Sequence, residues 1–174
     1  GFVVFGFGCV VVLFVFGNNS TDDTTEAISL NQVGEYSGAP YVYLNNNMPY
    51  FTDEEKENTK PFENYSSLDD LGRCGVAFAN IYKELMPTEE RGPIGQIKPS
   101  GWHTVKYNGI IDGNYLYNRC HLIGYQLTGE NANELNLITG TRYLNTEGME
   151  GFENTVGDYV AEMENHVVWE DTKL

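Results

Sequence analysis

The sequence predicts an α+β fold, a mixed and mainly antiparallel sheet with helices packed against it, on three observations. The first is size: 174 residues and 19.6 kDa supply one domain with one core. The second is a series of short β-prone runs punctuated by Asn-Gly and Asp-Gly turns. The third is apolar spacing of three and four residues in two other stretches. Hydrophobic residues at 41% and charged residues at 20% are ordinary globular usage, which excludes wholesale disorder, collagen-like repeats and coiled coil.

The chain opens on an apolar run from Phe2 to Phe16, broken only by glycine and followed by Asn18–Asp23. Residues 1–17 therefore read as a signal peptide or membrane anchor, clipped at its N-terminus because neither an initiator Met nor a basic region precedes it. A buried core helix is the alternative, disfavoured by the missing polar stripe. Cys9 lies inside the run, whereas a lipidated cysteine stands at its end. Residues 18–35 are polar and read as a linker, and residues 36–174 as the domain.

Within the domain, Pro40–Phe51 predicts a hairpin or edge ribbon around Asn45-Asn46-Asn47, and Asp53–Ser66 a loop. Ser67 reads as the N-cap of a helix, with Asp69 and Asp70 in its first turn. Leu71, Cys74, Phe78, Ile81 and Leu85 would form its apolar face, and Pro87 its end. Short strands are expected at Ile94–Ile97 and Trp102–Tyr107. Asn108-Gly109 and Asp112-Gly113 follow, one as a hairpin turn and the other as a bulge or bend. Tyr115–Leu122 and Leu135–Thr139 are the next strands, separated by a polar loop at Thr128–Asn133. A final helix carries Phe152, Val156, Tyr159, Val160 and Met163 on one face.

Twenty-five acidic against ten basic residues give a net charge of -15, which argues against loose, charge-driven adhesion to nucleic acid or anionic membrane. The imbalance is uneven. Residues 71–130 hold five acids and six bases, while both flanks are strongly acidic, so a phosphate is tolerated best in the middle. No P-loop, G-x-G-x-x-G, C-x-x-C or G-x-S-x-G pattern is present, which sets aside NTPases, dinucleotide enzymes, zinc ribbons and serine hydrolases.

Strand, loop, strand and helix, with His121 on the first strand and Asn145 entering the helix, would bring an imidazole and an amide to one end of a hairpin. Histidine titrates near neutrality and can take a proton from water, and an amide oxygen is a hard, neutral ligand for Mg²⁺. The plainer alternative is a hydrogen-bonded structural histidine and an asparagine N-cap.

Two blocks decide between them. Asn118-Arg119-Cys120-His121 resembles the D-R-G-H motif of the DNA/RNA non-specific endonucleases, the sugar-nonspecific nucleases built on a ββα-metal (His-Me) finger. Asn136–Asn145 resembles the family's second block, which continues through Glu147-Gly148-Met149 to Phe152-Glu153-Asn154. The resemblance spans about residues 36–168, including Leu71–Gly75 and Gly101–His103, and leans toward exported or membrane-anchored bacterial members, some associated with DNA uptake.

The resemblance implies that His121 is the general base and Asn145 the one direct protein ligand of Mg²⁺, with Mn²⁺ a possible substitute. Glu153 would orient a metal-bound water, and Asn136 would support the site. Arg119, grouped with the catalytic residues, and Arg142 are candidates for phosphate contact, and Lys98 and Lys106 complete the basic surface. It implies DNA and RNA as substrates, held through phosphate without base readout, and a secreted or extracellular membrane-anchored location. Whether an inhibitor protein or an oligomer forms is left open. A catalytically inactive nucleic-acid-binding or surface module that keeps the finger is the alternative function.

Asn118 stands where the family has Asp, and Cys120 where it has Gly. His166–Trp169 begins what reads as the family's next strand, so the C-terminal strands are expected to be missing, leaving an exposed sheet edge. Export would permit a disulfide between Cys74 and Cys120; two buried thiols are the other reading. His103 and His166 have no partner at metal-ligand spacing and read as structural or exposed. Trp102, Tyr107, Tyr115 and Tyr117 could stack on bases, although strand spacing favours a core role.

Overall fold

The computed structural model describes residues 2–4, 10–15, 33–43, 51–163 and 167–173. The linker through residue 32, most of the 40–51 ribbon, Cys9 and His166 lie outside them. Among the described residues there are two antiparallel sheets and one long helix, as the α+β reading requires.

The larger sheet has five strands in the order β1 (Phe2–Val4), β2 (Val10–Val15), β7 (Val167–Lys173), β4 (Ala77–Ile81), β3 (Phe62–Tyr65). The apolar run read as a signal or anchor thus contributes β1 and β2, with β2 running against β7 from Val10↔Lys173 to Val15↔Val168. No helix among the described residues is long and apolar enough to cross a membrane. The edge expected at the C-terminal strand is elsewhere: β7 pairs with β2 on one side and β4 on the other, and β1 and β3 are the outer strands.

The helix expected over Ser67–Leu85 is instead a hairpin loop, the strand β4 and a 3₁₀ turn at Lys83–Leu85. The Asp69 carboxylate accepts from the backbone N–H of Leu71 and Arg73, and Gly72 adopts φ 69°, which closes a tight turn where a helix would need to continue. Leu71, on the supposed apolar face, is 68% exposed. β4 is buried on both faces, so its alternation is hidden from the sequence: Ala77, Ala79 and Ile81 enter the core while Phe78 packs between Phe51 and Phe62.

The loop expected at Asp53–Ser66 holds α1 (Asp53–Glu57) and β3. Thr52 and Glu55 form a capping box that starts α1. Ile94–Ile97 is a turn closed by the Ile97 N–H on the Ile94 carbonyl, not a strand. In Trp102–Tyr107 only Lys106 forms a ladder bridge, to Tyr115, and both Gly109 and Gly113 serve turns at positive φ within the ribbon this bridge closes.

The second sheet follows the expectation closely. β5 (Tyr117–His121) pairs with β6 (Leu137–Thr141) from Tyr117↔Thr141 to His121↔Leu137. Between them lies the short helix α2 (Tyr125–Thr128). After β6 a π-helical turn (Leu144–Met149) runs directly into α3 (Glu150–Met163), whose Val156 and Val160 are fully buried against the core. Cys120 and Cys74 are core thiols rather than a disulfide. The Cys74 thiol donates to the Leu137 carbonyl at 3.3 Å, and the Cys120 sulfur lies against Gly140, where an added Cβ would sit 2.6 Å from it. A thiol in place of the family's glycine is therefore accommodated by a glycine across the ladder.

Candidate active site

His121 ends β5 with its side chain 5% exposed. A carbonyl can only accept, so the 2.8 Å contact to the Asn131 carbonyl fixes the proton on Nε2. Nδ1 then carries the lone pair, and Arg91 donates to it from 3.4 Å. Burial holds the imidazole below its ordinary range, with the Arg91 charge acting in the same direction and the Asn131 carbonyl opposing. His121 is thus held as a neutral imidazole in one tautomer, with its Nδ1 lone pair toward Arg91.

Glu153 faces the same region from the first turn of α3 and is 9% exposed. Burial pushes its carboxyl up to about 7, reinforced by Glu150 and opposed by a Gln126 hydrogen bond and the Arg91 charge. Gln126 Nε2 donates to its Oε2 at 3.0 Å. The carboxyl packs against Gly124 in the loop that leaves His121, where an added Cβ would lie 2.7 Å from the Glu153 carboxyl carbon and from the Gln126 side-chain oxygen, so a larger residue there would displace both side chains. Arg91 is felt by both His121 and Glu153 and joins the two halves of the site.

Asn145 sits half-buried on the π-helical turn that opens the same helix. Its backbone carbonyl accepts from Glu150, while its side-chain amide makes no hydrogen bond to another described residue. Asn136 is fully buried with its amide committed: Oδ1 accepts from the Ile123 N–H at 2.8 Å and Nδ2 donates to the Ile123 carbonyl at 3.0 Å. It clamps the chain leaving His121 onto β6 and does not face a ligand.

Two sequence candidates for phosphate contact are engaged elsewhere. Arg119 donates to the carbonyls of Ile97 and Gly95 and stacks 3.8 Å over Trp102. Arg142 pairs with Asp112 at 2.7 Å. Lys98 and Lys106 are exposed, the latter 5.4 Å over the Tyr115 ring. Arg91 is the residue that sequence reading missed. Its position at the head of the acid-poor stretch, directly after Glu89-Glu90, was the available signal.

Among the described residues no group of three or more His, Cys, Asp or Glu could hold a metal. An uncommitted neutral amide on the turn that opens the helix bearing a buried carboxyl offers hard oxygen donors, which suit a divalent cation that keeps most of its water and not a tetrahedral zinc cage.

Residues 51–171, most of the chain, match the DNA/RNA non-specific endonuclease family. The chain belongs to that family. Its fold is similar to NucA from Streptococcus agalactiae crystallised with magnesium, at TM-score 0.58 and 23% identity over 66% of this chain and 57% of that one. The Sda1 nuclease with bound zinc ion is similar at TM-score 0.54 and 25% identity, over 65% and 63%. The chain thus spans about three fifths of the nucleases it resembles. No curated protein matches it. Within this family, the hairpin β5–β6 and the helix after it form the ββα finger, and His121, Asn145 and Glu153 occupy it.

Proposed function

We propose that this chain is a metal-dependent endonuclease that hydrolyses phosphodiester bonds of DNA and RNA with little sequence preference. The observation that carries the reading is the His121 geometry. A buried, neutral imidazole with Nε2–H tied to a carbonyl leaves Nδ1 to take a proton from an attacking water, beside an arginine that can transfer its charge to a phosphate. Arg91 then holds the scissile phosphate, and its departure from Nδ1 frees the lone pair. Gln126 orients the Glu153 carboxyl, which would accept hydrogen bonds from water within the site.

Asn145, with Glu153 in support, would hold Mg²⁺, and Mn²⁺ could substitute. Bound there, the ion supplies positive charge to the phosphate and the departing oxygen. The magnesium in NucA and the zinc in Sda1 support a divalent ion in general. Contacts confined to phosphate carry no base readout, which is the physical basis of low sequence preference. Export is proposed on the Phe2–Phe16 run alone; N-terminal sequencing of protein recovered outside the cell tests it, and recovery only inside would refute it.

The test is release of acid-soluble nucleotides from plasmid DNA and from RNA, with Mg²⁺, with Mn²⁺ and with EDTA, for the chain and for His121→Ala. Digestion that needs the ion and falls by about 10²–10⁴-fold in the variant is expected. Digestion unchanged in His121→Ala would remove the base assignment. No digestion by a folded chain would remove the enzyme reading.

A further inference from the structure

The aromatic residues at 102–117 do not join the core, and their arrangement is ordered. β5 and the ribbon leading into it present Tyr115, Tyr117, Arg119 and His121 at alternate positions, hence on one face. Each pairs an aromatic ring with a cationic or protonatable group. Lys106 Nζ lies 5.4 Å over Tyr115, the His103 ring packs 4.3 Å from Tyr117, Arg119 stacks on Trp102, and Arg91 meets His121. The partners follow in reverse chain order, so the pairs form a ladder that ends at the catalytic base. At strand rise the ladder is about 20 Å long from Tyr115 to His121.

Charge singles out this surface. Between Arg91 and Gly129 the chain carries Arg91, Lys98, Lys106 and Arg119 against one acid, Asp112, which Arg142 pairs. Among the described residues, the exposed rings of Tyr36, Tyr43 and Tyr143, at 45–66% exposure, lie instead in acidic sequence, with Glu35 before Tyr36 and Glu147 close after Tyr143. Exposed rings alone suit many partners. Rings alternating with cations, in a chain of net charge -15, suit a polyanion whose flat groups can be splayed onto them.

We infer that this ladder is the track for one unpaired strand of nucleic acid on one side of the cleaved bond, with bases on the rings and phosphates on Lys106 and Arg91, while Arg119 stays bound to its carbonyls and braces Trp102. This rests on the nuclease reading above and names its substrate form. A duplex keeps its bases stacked inward and gains only the cations. The chain should therefore favour single strands and unpaired segments over paired ones.

The test is fluorescence anisotropy in EDTA, where binding is seen without turnover, using a labelled single-stranded oligonucleotide of about 12 nucleotides and its duplex. Tyr115→Ala combined with His103→Ala is expected to weaken single-strand binding by about 10–100-fold and duplex binding by less than about 3-fold. Tyr115→Phe should retain single-strand binding, and Tyr36→Ala on the acidic patch should change neither. Equal losses on both substrates, or none on the single strand, overturn the track. Far-ultraviolet circular dichroism establishes that each variant is folded. Cleavage by the unaltered chain with Mg²⁺ separates the two ideas: a chain that digests nucleic acid while the double variant binds single strands normally loses the track alone. A chain that neither digests nor binds loses both.

Discussion

The ββα finger and the five-stranded sheet solve opposite problems. In the sheet, β4 buries Ala77, Ala79 and Ile81 completely, and its one buried polar side chain, Asn80, is neutral and donates to the carbonyls of Asn58 and Lys60, although its Oδ1 has no partner among the described residues. The finger buries His121, Asn136 and Glu153. Of these only Asn136 has both ends of its side chain satisfied by backbone. A buried imidazole beside an arginine and a buried carboxyl raised to about 7 are costs that folding alone does not require. On the proposed function, the difference separates residues that would serve chemistry from residues that serve stability, and substitutions in the two regions should dissociate the two properties.

The largest separation is expected at His121. Its depressed pKa predicts that kcat/KM holds to below the ordinary imidazole value of 6.5 before falling as the pH drops and the base becomes protonated. A rate profile with its acid limb above 6.5 would contradict the burial argument. The sign for stability agrees: a depressed histidine pKa contributes stability above 6.5, lost as pH falls through the folded value.

In the sheet, Ile81→Ala removes a fully buried side chain next to β7 and should cost about 2–5 kcal/mol, read as a fall in urea midpoint. Cleavage per folded molecule should be unchanged. Loss of specific activity in the folded fraction would show that the sheet positions the finger as well as supporting it.

Glu153→Gln sharpens the contrast from the other side. Folding raises this carboxyl from 4.5 to about 7, so its contribution is fully present below 4.5 and is lost as pH rises through 7. The amide stays neutral and has no such dependence. In EDTA at pH 8 the variant should be about 1–3 kcal/mol more stable than the parent, an advantage that shrinks toward pH 5. Activity should fall by about 10–100-fold. A variant less stable at pH 8 would show that the charged carboxylate is well compensated in the folded protein.

Legibility followed the same division. The elements of the finger were legible because they are local in sequence, with β5, β6 and α3 in order, whereas His121, Asn145 and Glu153, within 33 residues, stand out as a site only through the family resemblance. The sheet was not, because β3, β4 and β7 pair across most of the chain, and a central strand covered on both faces loses its period of two. Cys74, Phe78 and Ile81 happen to fall at helical spacing, and the turn built on Asp69 and Gly72 overrides it. The arginines divide likewise. Arg119 and Arg142 stand beside the motif residues in sequence but are bound to carbonyls and a carboxylate, while Arg91 reaches His121 across 30 residues, a contact that no local pattern records.

The smallest effect tests the one place where the finger departs from its family in the core. Cys120 fills the space left by Gly140 on the neighbouring strand, where an added Cβ would sit 2.6 Å from the sulfur and 3.0 Å from Leu144 Cδ2. Gly140→Ala should therefore destabilise the chain by about 1–3 kcal/mol. Cys120→Gly, which restores the residue of the family motif, should relieve most of that cost, because the clash with sulfur disappears while the milder one with Leu144 remains. The double-mutant cycle should show a favourable coupling of about 1 kcal/mol or more. Additive effects would mean that the ladder absorbs a methyl group at Gly140 without reference to Cys120. A coupling of the expected sign would establish that the two positions exchange volume across the ladder.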